Sequence, residues 1–256
     1  MNSYFVPASS IVRKIWGKAD IVLFIFAGAS AEFALNKSVD WLYFTGKLPS
    51  DPLGRLFSTV NYSRRILFSE YNAALHAIDQ ITAIHKSVES NRGGSIPNEA
   101  YLDVLYLLID YSIRSYELLE RQLTGPEKEE VFEVFYRVGR RMGLKDLPEN
   151  YVDWFIQRKE QLAHNLRKGD LTHDLYLQYK KHLGTIRFIL LKQAQLLVVP
   201  KRVKKLLGPG RTHWLRPVVA IYKVFRMLRL QNLLRNAILP SAYLKQVKAM
   251  DITPDY

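Results

Sequence analysis

The chain has 256 residues, 48 % hydrophobic and 12 % aromatic, which is enough apolar material for a full core and too much for a disordered tail. It has no cysteine, and this excludes disulfides, iron–sulfur clusters, thiolate zinc sites, a thiolate haem ligand and covalent c-type haem. The formal net charge is +13, and residues 201–250 carry twelve cationic side chains with no Asp or Glu. Such a field attracts the phosphates of nucleic acid or of an anionic membrane surface.

In chain order, residues 1–20 read as an arm and a short helix. Residues 20–36 read as an apolar helix whose Gly28, Ala29, Ser30 and Ala31 allow a close approach by another element. Its apolar run, Ile21 to Ala31, is far shorter than the roughly 20 residues that span a bilayer. The run also resembles the core of a signal peptide, although the polar lead-in is long and Asp20 abuts it. Residues 37–50 read as a loop in which Trp41, Tyr43 and Phe44 plug a core edge, or else form a lid.

Two helices follow. Asp51-Pro52 opens the first, an N-cap followed by a proline at the first helical position, and it runs to about Phe68. Ser69 caps the second, which ends before Asn91-Arg92-Gly93-Gly94. On the second helix Ala74, Ile78, Ile81, His85 and Val88 form one face, so His85 points into the core and His76 points away. A buried histidine needs a partner for each ring nitrogen, from a carbonyl, a side chain or a metal. Arg55 and Thr59 are i and i+4 on the first helix and share a face. Either they serve the surface and the backbone, or they project where His85 points.

Residues 98–123 predict a long helix, with Leu102, Leu105, Ile109, Ile113 and Tyr116 inside. Its Asp103, Asp110, Arg114, Glu117 and Arg121 are expected as an outer stripe, with Asp110 and Arg114 as a solvated pair. Thr124, Pro126 and Glu127 open a helix that Gly143 closes, and another follows Pro148. Asp170-Leu171-Thr172 starts a helix predicted to run to about Val199. His182 within it is expected as a surface or capping histidine, or else as the best candidate for a second functional histidine, and His164 and His173 are expected to be exposed. Gly208-Pro209-Gly210 reads as a linker before a basic helix at 214–237, and 249–256 as a tail. Phosphate-binding glycine loops, zinc-protease motifs and nucleophile elbows are absent from the sequence.

The run Ser50-Asp51-Pro52-Leu53-Gly54-Arg55-Leu56-Phe57-Ser58-Thr59, followed by Ile84-His85, resembles the signature of the mpaB/rubber oxygenase (latex-clearing protein) family. Its pattern is D-P-x-G-R-x-x-x-T, then a helix ending in I/M-H. Phe26–Ala31 is similar to that family's small-residue segment, and Asp103–Asp110 to its next helix. The resemblance implies that His85 is the axial ligand of a b-type haem, with Arg55 and Thr59 as cofactor-binding and catalytic pocket residues. Ser58 stands where some relatives have a lysine that fills the sixth site, so that closed state is not expected. Asn36-Lys37-Ser38 replaces a His-Pro found in many relatives, and Leu105 stands where many have a second histidine.

The expectation is therefore an all-α, single multi-helix domain over 1–256 around one apolar haem cavity, with about eight helices. It would act as a haem b-dependent oxygenase using O2 on a hydrophobic, isoprenoid-like substrate. The expected location is cytoplasmic, with peripheral membrane contact through 201–250. A haem-free lipid carrier on the same fold is the alternative. Nucleic acid is not an expected partner, because the basic segment lacks a nucleic-acid fold signature.

Overall fold

The computed structural model describes residues 4–44, 46, 50–208 and 222. The basic helix expected at 214–237 lies outside the described residues, apart from Tyr222, as do the linker residues Pro209 and Gly210.

The described elements are helices: α1 Ile11–Trp16, α2 Ala19–Phe33, α3 Asp40–Phe44, α4 Pro52–Leu67, α5 Tyr71–Arg92, α6 Asn98–Leu119, α7 Gly125–Met142, α8 Tyr151–His164, α9 Asp170–Val198 and α10 Lys201–Leu207. Among the described residues there is no strand beyond two isolated bridges, Tyr4 to Glu70 and Asn36 to Leu166. The fold is all-α, as the periodicities predict.

Several ends follow from local chemistry. The Asp51 side chain accepts from the Gly54 N–H at 2.8 Å and Pro52 occupies the first turn of α4. Thr124 and Glu127 close a reciprocal capping box on α7. Gly93 and Gly143 end α5 and α7 with φ of 70° and 79°, a conformation that costs other residues about 1 kcal/mol or more. Ser69 does not cap α5. Glu70 precedes its first residue and makes no side-chain cap.

α2 and α6 cross at the centre of the core. The crossing is tight because Gly28 faces the Tyr111 ring: a Cβ there would sit 2.3 Å from Tyr111 Cδ1. Trp16 is fully buried and its Nε1 donates to Ser112 Oγ at 3.1 Å, which ties α1 to α6. Each fully buried Ile, Leu or Phe in this cluster contributes about 1.5–3 kcal/mol. The Tyr222 hydroxyl donates to Asp20 at 3.1 Å, bringing the chain back to the start of α2.

The structure corrects two predicted elements. Within the predicted 37–50 loop, residues 40–44 form α3. Its Trp41 packs under the Arg92 guanidinium, 3.9 Å from ring centroid to Cζ, and its Tyr43 hydroxyl donates to Asp174 at 2.9 Å. The predicted long helix 170–199 is broken at Gly184, where φ is 72° and ψ 169°. The Tyr176 hydroxyl donates to Gln195 Oε1 at 2.9 Å, and its ring meets Phe188 at 6.3 Å. In a straight helix residues 176 and 195 would be about 28 Å apart. α9 is therefore a helical hairpin with its tip at Gly184. Both arms are pinned to α2 at Ser30, through the Tyr179 hydroxyl to the Ser30 carbonyl and Gln195 Nε2 to Ser30 Oγ.

Candidate functional site

α4 and α5 pack against each other, and Arg55 lies close enough to His85 for its charge to act on the ring. His85 is half-buried on α5, with Ala74 and Ile78 fully buried on the same face and Ile81 and Val88 only partly so. His76 is exposed, as predicted, and so are His164, His173 and His182.

The His85 ring lies 5.2 Å from the Tyr101 ring, centroid to centroid, at 57°. Its Nδ1 is buried and has no hydrogen-bond partner among the described residues. Burial lowers the His85 pKa from its ordinary 6.5, the Arg55 charge lowers it further, and Glu89, one turn along, opposes both. Near neutral pH the imidazole is therefore uncharged, the form that binds metals.

Because the folded pKa lies below the unfolded one, the stability tied to this ring is complete above the unfolded value. It is lost as pH falls through the folded value. We expect urea unfolding to give a lower stability at about pH 5.5 than at about pH 7.5, and His85→Gln to flatten that difference. An unchanged pH slope in His85→Gln would remove the titrating role.

Arg55 has no carboxylate partner among the described residues, and burial lowers its pKa, with Tyr62 acting in the opposite direction. Thr59 Oγ1 donates to the Arg55 carbonyl at 3.1 Å, so its proton serves the helix and its lone pairs remain as acceptors. Tyr101 and Glu89 complete the cluster: the Tyr101 hydroxyl donates to Glu89 Oε1 at 3.3 Å, and the Ile96 N–H donates to the same oxygen at 2.8 Å. Sequence reasoning missed both. Glu89 is i+4 from His85, and Tyr101 lies eight residues beyond the Gly93 turn as His85 lies eight before it, a symmetry an antiparallel pair of helices turns into contact.

A second polar cluster corrects the outer-stripe expectation. Asp103 and Asp110 are buried, not solvated. Arg158, from α8, donates Nη1 and Nη2 to the two Glu32 oxygens at 2.6 and 2.7 Å. It also reaches Asp110 Oδ2 through Nη2 at 2.9 Å and Nε at 3.1 Å. Burial alone would push the Arg158 guanidinium down, but Glu32 and Asp110 outweigh it and hold it above its ordinary value. The Tyr111 hydroxyl donates to Glu32 Oε2 at 2.8 Å. Asp103 accepts from Asn36 Nδ2 at 2.6 Å and Asn165 Nδ2 at 2.8 Å, fastening the ends of α2 and α8. Burial raises the Asp103 pKa against these hydrogen bonds. The one signal in the sequence was Glu32, the only carboxylate beyond the first turn of the most apolar helix. Leu105 is a core side chain against Gly139.

Among the described residues no group of three or more His, Asp or Glu could hold a metal ion by itself. A single imidazole with an open position suits a metal whose other ligands arrive with a cofactor.

This is an all-helical domain in which, among the described residues, one histidine is half-buried, with an arginine of the neighbouring helix that meets no carboxylate among them. Residues 14–230 match the family model described as ER-bound oxygenase mpaB/B'/Rubber oxygenase, catalytic domain, and the chain belongs to that family. No curated protein and no solved structure matches the chain significantly. None of the described helices is long and apolar enough to cross a membrane.

Proposed function

We propose that the chain is a haem b-dependent oxygenase that uses O2 on a hydrophobic, isoprenoid-like substrate. One observation carries the reading: the half-buried His85 imidazole, whose buried Nδ1 has no hydrogen-bond partner among the described residues, with Arg55 near it and meeting no carboxylate among them. The buried Nδ1 of His85, without a partner among the described residues, supports the cofactor. His85 would hold the iron from one side, with Tyr101 fixing the ring plane. When bound, haem supplies the redox chemistry that activates O2.

The chain's own groups do the rest. The Arg55 guanidinium would stabilise negative charge developing on oxygen, since it stays protonated and meets no carboxylate among the described residues. Thr59 lines the same face and offers lone pairs as acceptors. Apolar walls would exclude water and house the substrate chain, and the basic segment 201–250 would keep the protein near the membrane where such substrates dissolve.

The test is an absorption spectrum of the full chain expressed with ample haem. A strong Soret band that disappears in His85→Ala and survives in Arg55→Ala is expected, with circular dichroism showing both variants folded. A spectrum unchanged in His85→Ala would sink the assignment. A colourless protein that takes up no added haem and co-purifies with lipid would establish the carrier reading instead.

A further inference from the structure

We propose that the tip of the α9 hairpin is a docking surface for an anionic lipid bilayer, with Ile186 entering the headgroup region and Lys180 and Lys181 holding the lipid anions. This goes beyond the haem reading, needs none of it, and concerns a different surface from residues 201–250.

The argument begins with the break at Gly184. A hairpin folded there must present its turn to solvent, and Lys180, Lys181, His182, Gly184, Thr185 and Ile186 are all exposed. A Cβ on Gly184 would meet nothing within 4 Å. Ile186 is 77 % exposed, the highest value among the exposed large hydrophobics of the described residues, and Ile189 follows at 45 %. Single exposed aliphatics are ordinary, but an isoleucine at a projecting turn, three residues before another, with Lys180 and Lys181 just before the turn and Arg187 next to it, combines the two attractions that hold proteins on membranes.

Charge complementarity selects the occupant. From Leu175 to Met250 the chain contains no Asp or Glu, so the second arm and the tip-ward half of the first carry no carboxylate, and the acids of the first arm, Asp170 and Asp174, lie at its base. The acid nearest the tip in sequence, Asp174, is engaged at the hairpin's base by the Tyr43 hydroxyl. Both arms are fastened to Ser30 of α2, so the tip is presented by a fixed element. A phosphate backbone would use the lysines and leave Ile186 in water, whereas a bilayer takes both.

The chain has no native cysteine, so Ile186→Cys in the full-length protein gives one labelling site for an environment-sensitive fluorophore. We expect a blue shift with vesicles of phosphatidylcholine and phosphatidylserine, none with phosphatidylcholine alone, and reversal by high salt. Replacing both Lys180 and Lys181 by Ala should weaken vesicle partitioning roughly thirtyfold. Three outcomes would overturn the proposal: no binding to the anionic vesicles, a label that stays in water while the protein co-sediments with them, or partitioning lost through Lys201→Ala, Lys204→Ala and Lys205→Ala but unchanged by the tip variants. Circular dichroism of each variant controls for folding. The Soret band, read on the same samples, separates failure here from failure of the haem reading.

Discussion

Replacing Arg158 by methionine is expected to destabilise the protein by about 3–5 kcal/mol, the largest effect of any single substitution considered. The side chain is 3 % exposed and faces Glu32 at 1 %, with Asp110 at 10 %. Methionine fills much of the same volume but leaves the two carboxylates with no cation between them. Tyr111 still donates to Glu32, and Arg114 Nε still donates to Asp110 at 2.6 Å, yet Arg114 is 39 % exposed and well screened. The loss is therefore that of an uncompensated buried charge rather than of a few surface contacts.

In a chain of this size the melting temperature should fall by about 2–4 °C per kcal/mol. Urea unfolding and calorimetry of the variant measure it directly. A loss below about 1 kcal/mol would mean that water reaches the cluster and that its ions do not act as buried ones. Replacing Glu32, Asp110 and Arg158 together by Gln, Asn and Met should cost less than the sum of the single changes, because the three side chains share one network.

The same cluster shows where sequence reading reaches its limit. Asp110 and Arg114 do form an i, i+4 pair, and spacing alone assigns such a pair to solvent. What buries Asp110 is Arg158, 48 residues away on α8, and no local pattern contains that contact. Features written into neighbouring residues were legible: the Asp51-Pro52 start of α4, the Thr124–Glu127 capping box, the left-handed glycines at 93 and 143, and the opposite phases of His76 and His85. The tight crossing at Gly28 was legible as a small residue in an apolar helix, although its partner Tyr111 was not. In the candidate site, Arg55, Thr59 and His85 were legible from the signature, whereas Tyr101 and Glu89 depend on how α5 turns into α6.

The hairpin at Gly184 was hidden for a different reason. Its two arms continue one helical alternation of apolar and polar residues, and a lone glycine within such a pattern is normally tolerated at about 1 kcal/mol. Only the tertiary contacts reveal the fold-back, and they supply the second large expectation. Gly184→Ala should destabilise the protein by at least about 2–3 kcal/mol. The φ of 72° with ψ of 169° belongs to a region that is essentially glycine's alone. Space is not the obstacle, since nothing lies within 4 Å of the added methyl group.

Alanine must therefore accept the strained backbone or straighten it. Straightening would part Tyr176 from Gln195 and Phe188 and draw Tyr179 and Gln195 off Ser30. It would also open the small cluster of Ala34, Val39, Leu175 and Tyr179. Gly125→Ala is the matched control, being equally uncrowded and without a positive φ, and it should stay within about 0.5 kcal/mol of the parent. Urea unfolding of the two variants side by side measures the difference. Hydrogen exchange over 170–198 then separates the two routes: faster exchange confined to the arms marks straightening, and protection retained with lower global stability marks strain held in place. If Gly184→Ala proved as stable as Gly125→Ala, the chain would not need a glycine to turn there, and the tip could not be a fixed feature of the fold.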